Sequence, residues 1–321
     1  MALTFGIDTS NYTTSAAVYD SAAGVIVMEK RLLPTGEGTL GLRQSDAVFA
    51  HVKQLGEIVE RLFSHLDFPA GEIVAAGVSA FPRRETGSYM PCFLVGETAM
   101  RVFTAANRFP LYRFSHQEGH IAAALYSAGR LDLLERPFLA FHLSGGTTDA
   151  LLVTPSEDGF FRVRQVGGSL DLKAGQAVDR VGLLLGLHFP CGPELTELAL
   201  RWEEPVRVRA TLKGTSCCLS GIENQCRKLL EQGCPREKIA RVCLESIRVA
   251  LEGMTTALQK QYGNLPLLYA GGVMSSTLIR KKLEENFGGI FAAPAYSSDN
   301  AAGTAILAGM ADEFRRKGGG A

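Results

Sequence analysis

Phe138-Leu-Ala-Phe-His-Leu-Ser-Gly-Gly-Thr-Thr-Asp-Ala-Leu-Leu-Val-Thr154 repeats the plan of Leu3-Thr-Phe-Gly-Ile-Asp-Thr-Ser-Asn-Tyr-Thr-Thr-Ser-Ala-Ala-Val-Tyr19. Each stretch reads as a strand, a turn of small polar residues and a second strand, because apolar and β-branched runs flank a segment with hairpin chemistry. A third strand follows each pair, from Gly24 to Glu29 and from Phe161 to Val166. Helical spacing then takes over. The spacing predicts helices over 44–66, with Val48, Val52, Leu55, Ile58, Val59 and Leu62 on the apolar positions, and over 93–107 and 116–129. Ile73–Ser79 and Leu111–Phe114 read as strands between them. The second half continues with helices near 173–186, 192–202, 219–232 and 236–260, a strand at 265–270, and a last helix from about Asn300 to Arg316. The tail from Lys317 is expected to fray. Together these features predict an α/β protein made of a duplicated unit, two lobes with a nucleotide cleft between them. The boundary falls within 112–137 and is drawn as lobes 1–115 and 116–321, with helix 300–316 packing back near the cleft.

Composition narrows the classes. The chain has 321 residues, 46% of them hydrophobic and 21% charged, with zero net charge. Such a chain builds real cores, which excludes global disorder. No apolar run reaches the ~18 residues of a membrane span. The start lacks a basic region before its apolar stretch, so no signal peptide is expected. Seven cysteines follow no C-x-x-C spacing, and Cys217 and Cys218 are adjacent, which points to reduced thiols, a cytoplasmic location and no membrane. Zero net charge excludes nucleic-acid binding driven by bulk charge, though not by a local patch.

The candidate chemistry lies in the turns and in one histidine pair. The turns at Asp8-Thr9-Ser10-Asn11 and Ser144-Gly145-Gly146-Thr147-Thr148 present backbone N–H groups and hydroxyls, and glycine lets a phosphate approach the main chain. A third Gly-containing turn, Ala270-Gly271-Gly272-Val273, follows a late strand. Each alone is an ordinary hairpin turn; three around one cleft resemble the ATP-binding layout shared by actin, hexokinase and the heat-shock chaperone ATPases. Ser115 and Glu118 form a capping-box pattern, so a helix should start there. His116 and His120 then lie at i and i+4 on one face, able to share a transition metal. Gln117 stands where a zincin protease carries its glutamate, which excludes that class. Asp299, just before the last helix, reads either as its N-cap or as a third ligand. Asp179, beside an apolar helical stripe, is either solvated or a partner for a ligand hydroxyl, and Phe189-Pro-Cys-Gly-Pro193 makes a tight turn close by. Arg162 with Arg164, and Arg207 with Arg209, alternate along expected strands, as a phosphate-contacting patch or a solvated edge.

These motifs resemble the TsaD/glycoprotease family, the N(6)-L-threonylcarbamoyladenine synthases once described as O-sialoglycoprotein endopeptidases. The resemblance runs from Phe5-Gly6-Ile7-Asp8-Thr9-Ser10 to Ser298-Asp299-Asn300-Ala301. It implies a two-lobed actin/hexokinase-like (ASKHA) fold of duplicated ribonuclease-H-like domains. It implies transfer of a threonylcarbamoyl group from its adenylate to N6 of adenosine 37 in tRNA, with partner proteins of the threonylcarbamoyl pathway. One divalent metal, Fe or Zn, would be held by His116, His120 and Asp299. Asp8 and Ser10 become the candidate catalytic residues. An adenine nucleotide, threonylcarbamoyl-AMP or ATP, would meet His142, Leu143, Ser144, Gly145, Gly146, Asp179, Gly192, Gly271, Gly272 and Ser276. The chain departs from the family pattern at several points. Tyr12 stands for an acid, Thr147 for the histidine of Ser-Gly-Gly-His-Thr, Gln176 and Val178 for Glu and Phe, Glu223 for Lys, and Ser276 for Asn. A Gly-Pro-Gly is absent near Arg83-Arg84-Glu85-Thr86-Gly87.

A diverged member is therefore expected, and other readings stay open: a carbamoyl-type transferase with another acceptor, or a nucleotide-binding scaffold or regulator without catalysis. A kinase or ATPase of the same fold would use Asp8 at Mg²⁺, but leaves the histidine pair unexplained.

Overall fold

The structure is a computed structural model and describes residues 3–10, 12–34, 42–66, 72–156 and 160–318. Asn11 of the first turn and the tail from 319 lie outside the described residues. The chain divides into two compact units. The first opens with β1 (Leu3–Asp8), β2 (Thr13–Asp20), β3 (Val25–Leu32), α1 (Gln44–Ser64), β4 (Ile73–Phe81), α2 (Phe93–Asn107), β5 (Leu111–Ser115) and α3 (His116–Ser127). The second holds β6 (Phe138–Leu143), β7 (Thr148–Pro155), β8 (Phe161–Gly168), α4 (Ala174–Leu184), α5 (Gly192–Leu200), β9 (Thr211–Lys213), β10 (Ser216–Cys218), α6 (Gly221–Glu231), α7 (Arg236–Tyr262), β11 (Leu267–Ala270), α8 (Thr277–Phe287) and β12 (Ile290–Phe291). The last helix, α9 (Ala302–Arg316), returns to the first unit.

The duplication is explicit in the sheets. The first has the order β3-β2-β1-β4-β5, the second β12-β11-β6-β7-β8. Counted within its own half, the second is the same 3-2-1-4-5 order read from the other edge. In both, the opening hairpin is antiparallel and the later strands add in parallel.

Units and expected lobes differ in three places. The first unit keeps 1–131 and recovers 155–161 and 295–321, so α3 and α9 belong with β1 rather than with a lobe starting at 116. The reason is close packing. β1 alternates its side chains: Phe5 and Ile7 enter the core with Leu55, Ile58 and Met100, while Thr4, Gly6 and Asp8 face the other way. Thr4 Oγ1 donates to the Ala305 carbonyl at 2.7 Å. A Cβ on Gly6 would strike the backbone of α9, and one on Gly303 would strike the Gly119 carbonyl of α3. Glycine is therefore required where helix meets strand and where helix meets helix.

Other expectations need correction. On α1 the buried face is Ala47, Ala50, His51, Leu55, Ile58 and Leu62, with Val52 61% exposed. Arg207 and Arg209 lie in irregular chain rather than on a strand. The sequence does not announce α8, although Leu278, Ile279 and Leu283 lie at helical spacing on it, nor the short β9–β10 ribbon and β12, whose two or three residues per strand are too few to show a period. In the second unit Phe141, Tyr269 and Phe291 stack across β6, β11 and β12, with centroids 5.0 Å apart at each step, a cross-strand ladder in the core.

Candidate metal centre and nucleotide turns

Ser115 begins α3 with a complete capping box: its hydroxyl accepts from Glu118 N, and the Glu118 carboxylate accepts from Ser115 N. This sets the first turn of the helix and with it the direction of His116. The i, i+4 spacing brings His120 beneath it, with the two Nε2 atoms 2.8 Å apart. Asp299 Oδ1 lies 3.4 Å from His116 Nε2 and 3.2 Å from His120 Nε2. All three residues belong to the first unit. Asp299 is not the helix cap: Ala301 occupies that position without a side-chain cap bond, and Asn300 Oδ1 accepts from Ala302 N instead. Its carboxylate is thereby left for the histidines.

Behind His116 sits Asp8, buried at the end of β1. Its Oδ2 accepts from His116 Nδ1 at 2.8 Å and from Ser79 Oγ at 2.6 Å, and its Oδ1 accepts from Ser10 N at 2.7 Å. Burial pushes the Asp8 carboxyl up, but the His116 charge and these bonds outweigh it and leave the group below its ordinary range. Burial lowers His116, yet Asp8 and Asp299 together raise it to about 10. Burial and the His116 charge push His120 down. Asp299 is raised by burial and lowered further by its two histidines, ending well below the carboxylate range.

The donor set fits a metal ion. Among the described residues, His116, His120 and Asp299 form the group whose three ligand atoms lie within 4.8 Å of one another. Bonds of ~2.1 Å to a zinc-like ion would separate neighbouring ligand atoms by about 3.0–3.4 Å, close to the spacings observed. The Asp8 carboxylate holds Nδ1–H of His116 and so directs Nε2 toward the other ligands, the outer-shell arrangement typical of such sites. Ser79 and Lys30 are not among the site residues expected from the sequence. Lys30 Nζ donates to Ala295 O and Ser298 Oγ beside Asp299. Pairing of β4 with β1 brings Ser79 to Asp8, and Lys30 meets the segment before α9 across 265 residues of sequence.

The candidate nucleotide residues lie in the second unit. Ser144 closes the β6–β7 turn, its N–H donating to Thr147 O and its hydroxyl accepting from Thr147 N. Gly175, at the start of α4, donates to Ser144 O and packs directly on the turn. Gly271 has φ of 98°, and a side chain there would collide with Leu143 O and crowd His142, which joins the third turn to the second. Gly145 and Gly146 are different. Neither has a positive φ, and a Cβ on either would meet open space. The fold itself does not demand glycine at these two positions.

One helical turn beyond Gly175, Asp179 Oδ1 accepts from Cys191 N at 3.0 Å and steadies the turn that leads into Gly192. Burial pushes this half-buried carboxyl up. Thr196 Oγ1 reaches Gly192 O and Ser276 Oγ, tying those two positions together. Glu223 pairs with Arg180 and Arg227. Ser10 Oγ is buried without a hydrogen-bond partner among the described residues.

The repeated 3-2-1-4-5 sheets define the class: an ASKHA-type, actin/hexokinase-like α/β protein. Component A of the (R)-2-hydroxyglutaryl-CoA dehydratase of Acidaminococcus fermentans shares the fold at a TM-score of 0.56, with 16% identity over 98% of this chain and all of that one. A ROK-family glucokinase from Streptomyces griseus, solved in complex with glucose and AMPPNP, matches at 0.50, with 16% identity over 95% of this chain and 99% of that one. The model of the family TsaD, tRNA N6-adenosine threonylcarbamoyltransferase, matches residues 41–306, and the chain belongs to that family. A relative from Thermus thermophilus with the same description is 30% identical over 283 residues, 87% of this chain and 83% of its own length.

Proposed function

We propose that this protein is a metal-dependent transferase that moves a threonylcarbamoyl group from threonylcarbamoyl-AMP to N6 of adenosine 37 in tRNA. The observation that carries the reading is the convergence of His116, His120 and Asp299 on one point, with Asp8 holding His116 from behind, in a chain of this family. In the reaction the amine attacks the carbamoyl carbon, the carbon–oxygen bond to phosphate breaks, AMP leaves with the electron pair, and N6 gives up a proton. A divalent ion, Fe or Zn, held by His116, His120 and Asp299 would polarise the carbonyl and offset phosphate charge. Asp8, ionised and tied to Ser79 and Ser10, keeps His116 oriented. The backbone N–H groups of Gly145 and Gly146 receive the nucleotide, which accounts for two glycines the fold does not require. His142, Leu143, Ser144, Asp179, Gly192, Gly271, Gly272 and Ser276 complete the nucleotide contacts. The amine is a weak nucleophile, so orientation supplies much of the acceleration.

Zero net charge gives little long-range attraction for tRNA; pathway partner proteins or local arginines supply it. None of the helices of the described residues is long and apolar enough to cross a membrane, and the cysteines form no disulfide among the described residues, in keeping with a cytoplasmic enzyme.

The departures favour a second reading, a nucleotide-binding regulator. Tyr12 is 43% exposed at the β1–β2 turn, and Glu223 and Ser276 are built into local contacts. The double substitution Tyr12→Asp/Thr147→His separates the two. Mixed with pathway partners, donor and unmodified tRNA, wild type should transfer and the double variant should transfer faster. If both are inert while metal and nucleotide still bind, the regulatory reading replaces the enzymatic one.

A further inference from the structure

Lys30 lies on β3, the edge strand of the first sheet, and takes no part in the proposed transfer. The strand register shows which face it occupies. Asp8 pairs with Ser15 across β1 and β2, and Ser15 pairs with Lys30 across β2 and β3. Residues directly opposite in a ladder put their side chains on the same face. Asp8, Ser15 and Lys30 therefore form one row, on the face that carries α3 and α9. Their contacts agree with this. Asp8 receives His116 Nδ1–H, Ser15 Oγ accepts from Ala301 N at 2.9 Å, and Lys30 Nζ donates to Ala295 O at 2.9 Å and to Ser298 Oγ at 2.8 Å.

The two kinds of metal ligand are held differently. His116 and His120 sit on a capped helix, where the backbone fixes their spacing. Asp299 sits in irregular chain before α9, where no repeating hydrogen bonds set its direction. Asn300 Nδ2 donates to Tyr296 O and Ser298 O, bonds that fold the segment on itself. Tyr296 meets Tyr126 of α3 edge-on, with ring centroids 5.6 Å apart, a contact that keeps the segment close without aiming it. Two polar anchors tie it to the sheet: Ser15 holds Ala301, two residues after Asp299, and Lys30 holds Ser298, the residue before it. Asp299 is thus bracketed by two neighbours of the Asp8 row. Burial lowers the Lys30 ammonium and the Asp299 charge opposes that shift, so the two charges lie near enough to act on each other.

Resting on the metal-dependent reading of this site, we propose that Lys30 is a positioning residue: by holding Ala295 O and Ser298 Oγ it fixes the Asp299 carboxylate against the histidine pair, and so sets the affinity and geometry of the metal centre. The sign of the effect separates this role from a purely electrostatic one. A lysine acting through its charge alone repels the incoming ion and competes for the carboxylate, so removing it would tighten metal binding. A clamp predicts the reverse, because a carboxylate free to swing must be ordered when the ion binds.

The test is competition for Zn²⁺ against a chromophoric chelator at fixed pH, with the Co²⁺ absorption spectrum recording coordination geometry. Lys30→Met keeps the stem and removes charge and donors, while Lys30→Arg keeps both. Lys30→Met should bind Zn²⁺ about tenfold more weakly, as loss of an outer-shell support does, and its Co²⁺ spectrum should change. Lys30→Arg should recover most of the affinity and the wild-type spectrum. Melting of the metal-free proteins records any folding cost, and the loss of affinity in Lys30→Met should persist well below its melting temperature. Wild-type affinity, tighter binding or an unaltered spectrum in Lys30→Met overturns the clamp, as does a weakening that Lys30→Arg fails to relieve. A wild type that binds no stoichiometric metal overturns the metal centre itself and the clamp with it.

Discussion

Asp8→Asn is the sharpest probe of the metal centre, because it changes charge and donor count while preserving shape. The native carboxylate receives three donors: Ser10 N–H on one oxygen, and Ser79 O–H with His116 Nδ1–H on the other. An asparagine offers one oxygen and one NH₂. With the oxygen placed toward Ser79 and His116, the NH₂ confronts Ser10 N–H, and that backbone donor is lost at about 1–3 kcal/mol. With the amide turned over, two donors face an NH₂, so the first arrangement is preferred. His116 then keeps a neutral acceptor but loses the negative charge that strengthens its bond and the basicity of Nε2. Outer-shell changes of this kind reduce metal affinity about 10–100-fold, or about 1.4–2.7 kcal/mol. The assay is competition for Zn²⁺ or Fe²⁺ against a chromophoric chelator at fixed pH. His116→Ala/His120→Ala serves as the variant without ligands and should bind no stoichiometric metal. Melting curves of the metal-free proteins report the folding cost separately. Native metal affinity in Asp8→Asn would refute the role assigned to Asp8, and native metal content in the double histidine variant would remove the site altogether.

Two further substitutions test the packing and the nucleotide turn. Gly145→Val has open space around it, so its melting temperature should match wild type while ATP affinity by calorimetry falls at least tenfold; retained affinity would mean that the nucleotide does not approach this backbone. Gly303→Val drives a side chain into the Gly119 carbonyl, and an overpacked contact of this kind should cost about 3 kcal/mol in denaturant unfolding; a fully stable variant would contradict the close seating of α9 on α3.

The legibility of this sequence follows the range of each interaction. Strand alternation in Leu3–Asp8 and the Ser115–Glu118 capping box are encoded within a few residues, and both were readable. So was the i, i+4 histidine pair, since one helix is enough to make it. Asp299 was readable only as one of two alternatives. A lone acid before a helix is most simply its cap, but the cap position falls on Ala301, and Asn300 Oδ1, not Asp299, accepts from Ala302 N. What could not be read depends on contacts between distant segments: Ser79 reaching Asp8 from β4, Lys30 beside Asp299, and α9 returning to β1 and α3 rather than closing the second unit.

Glycine gives a physical way to separate fold from function here. Gly6 and Gly303 are demanded by neighbouring backbone, and Gly271 by its positive φ as well as by Leu143. Folding alone accounts for these three. Gly145 and Gly146 have ordinary φ and empty surroundings, so a larger residue would fold equally well there. Their small size fits a phosphate approaching this backbone, the role that the proposed function gives them.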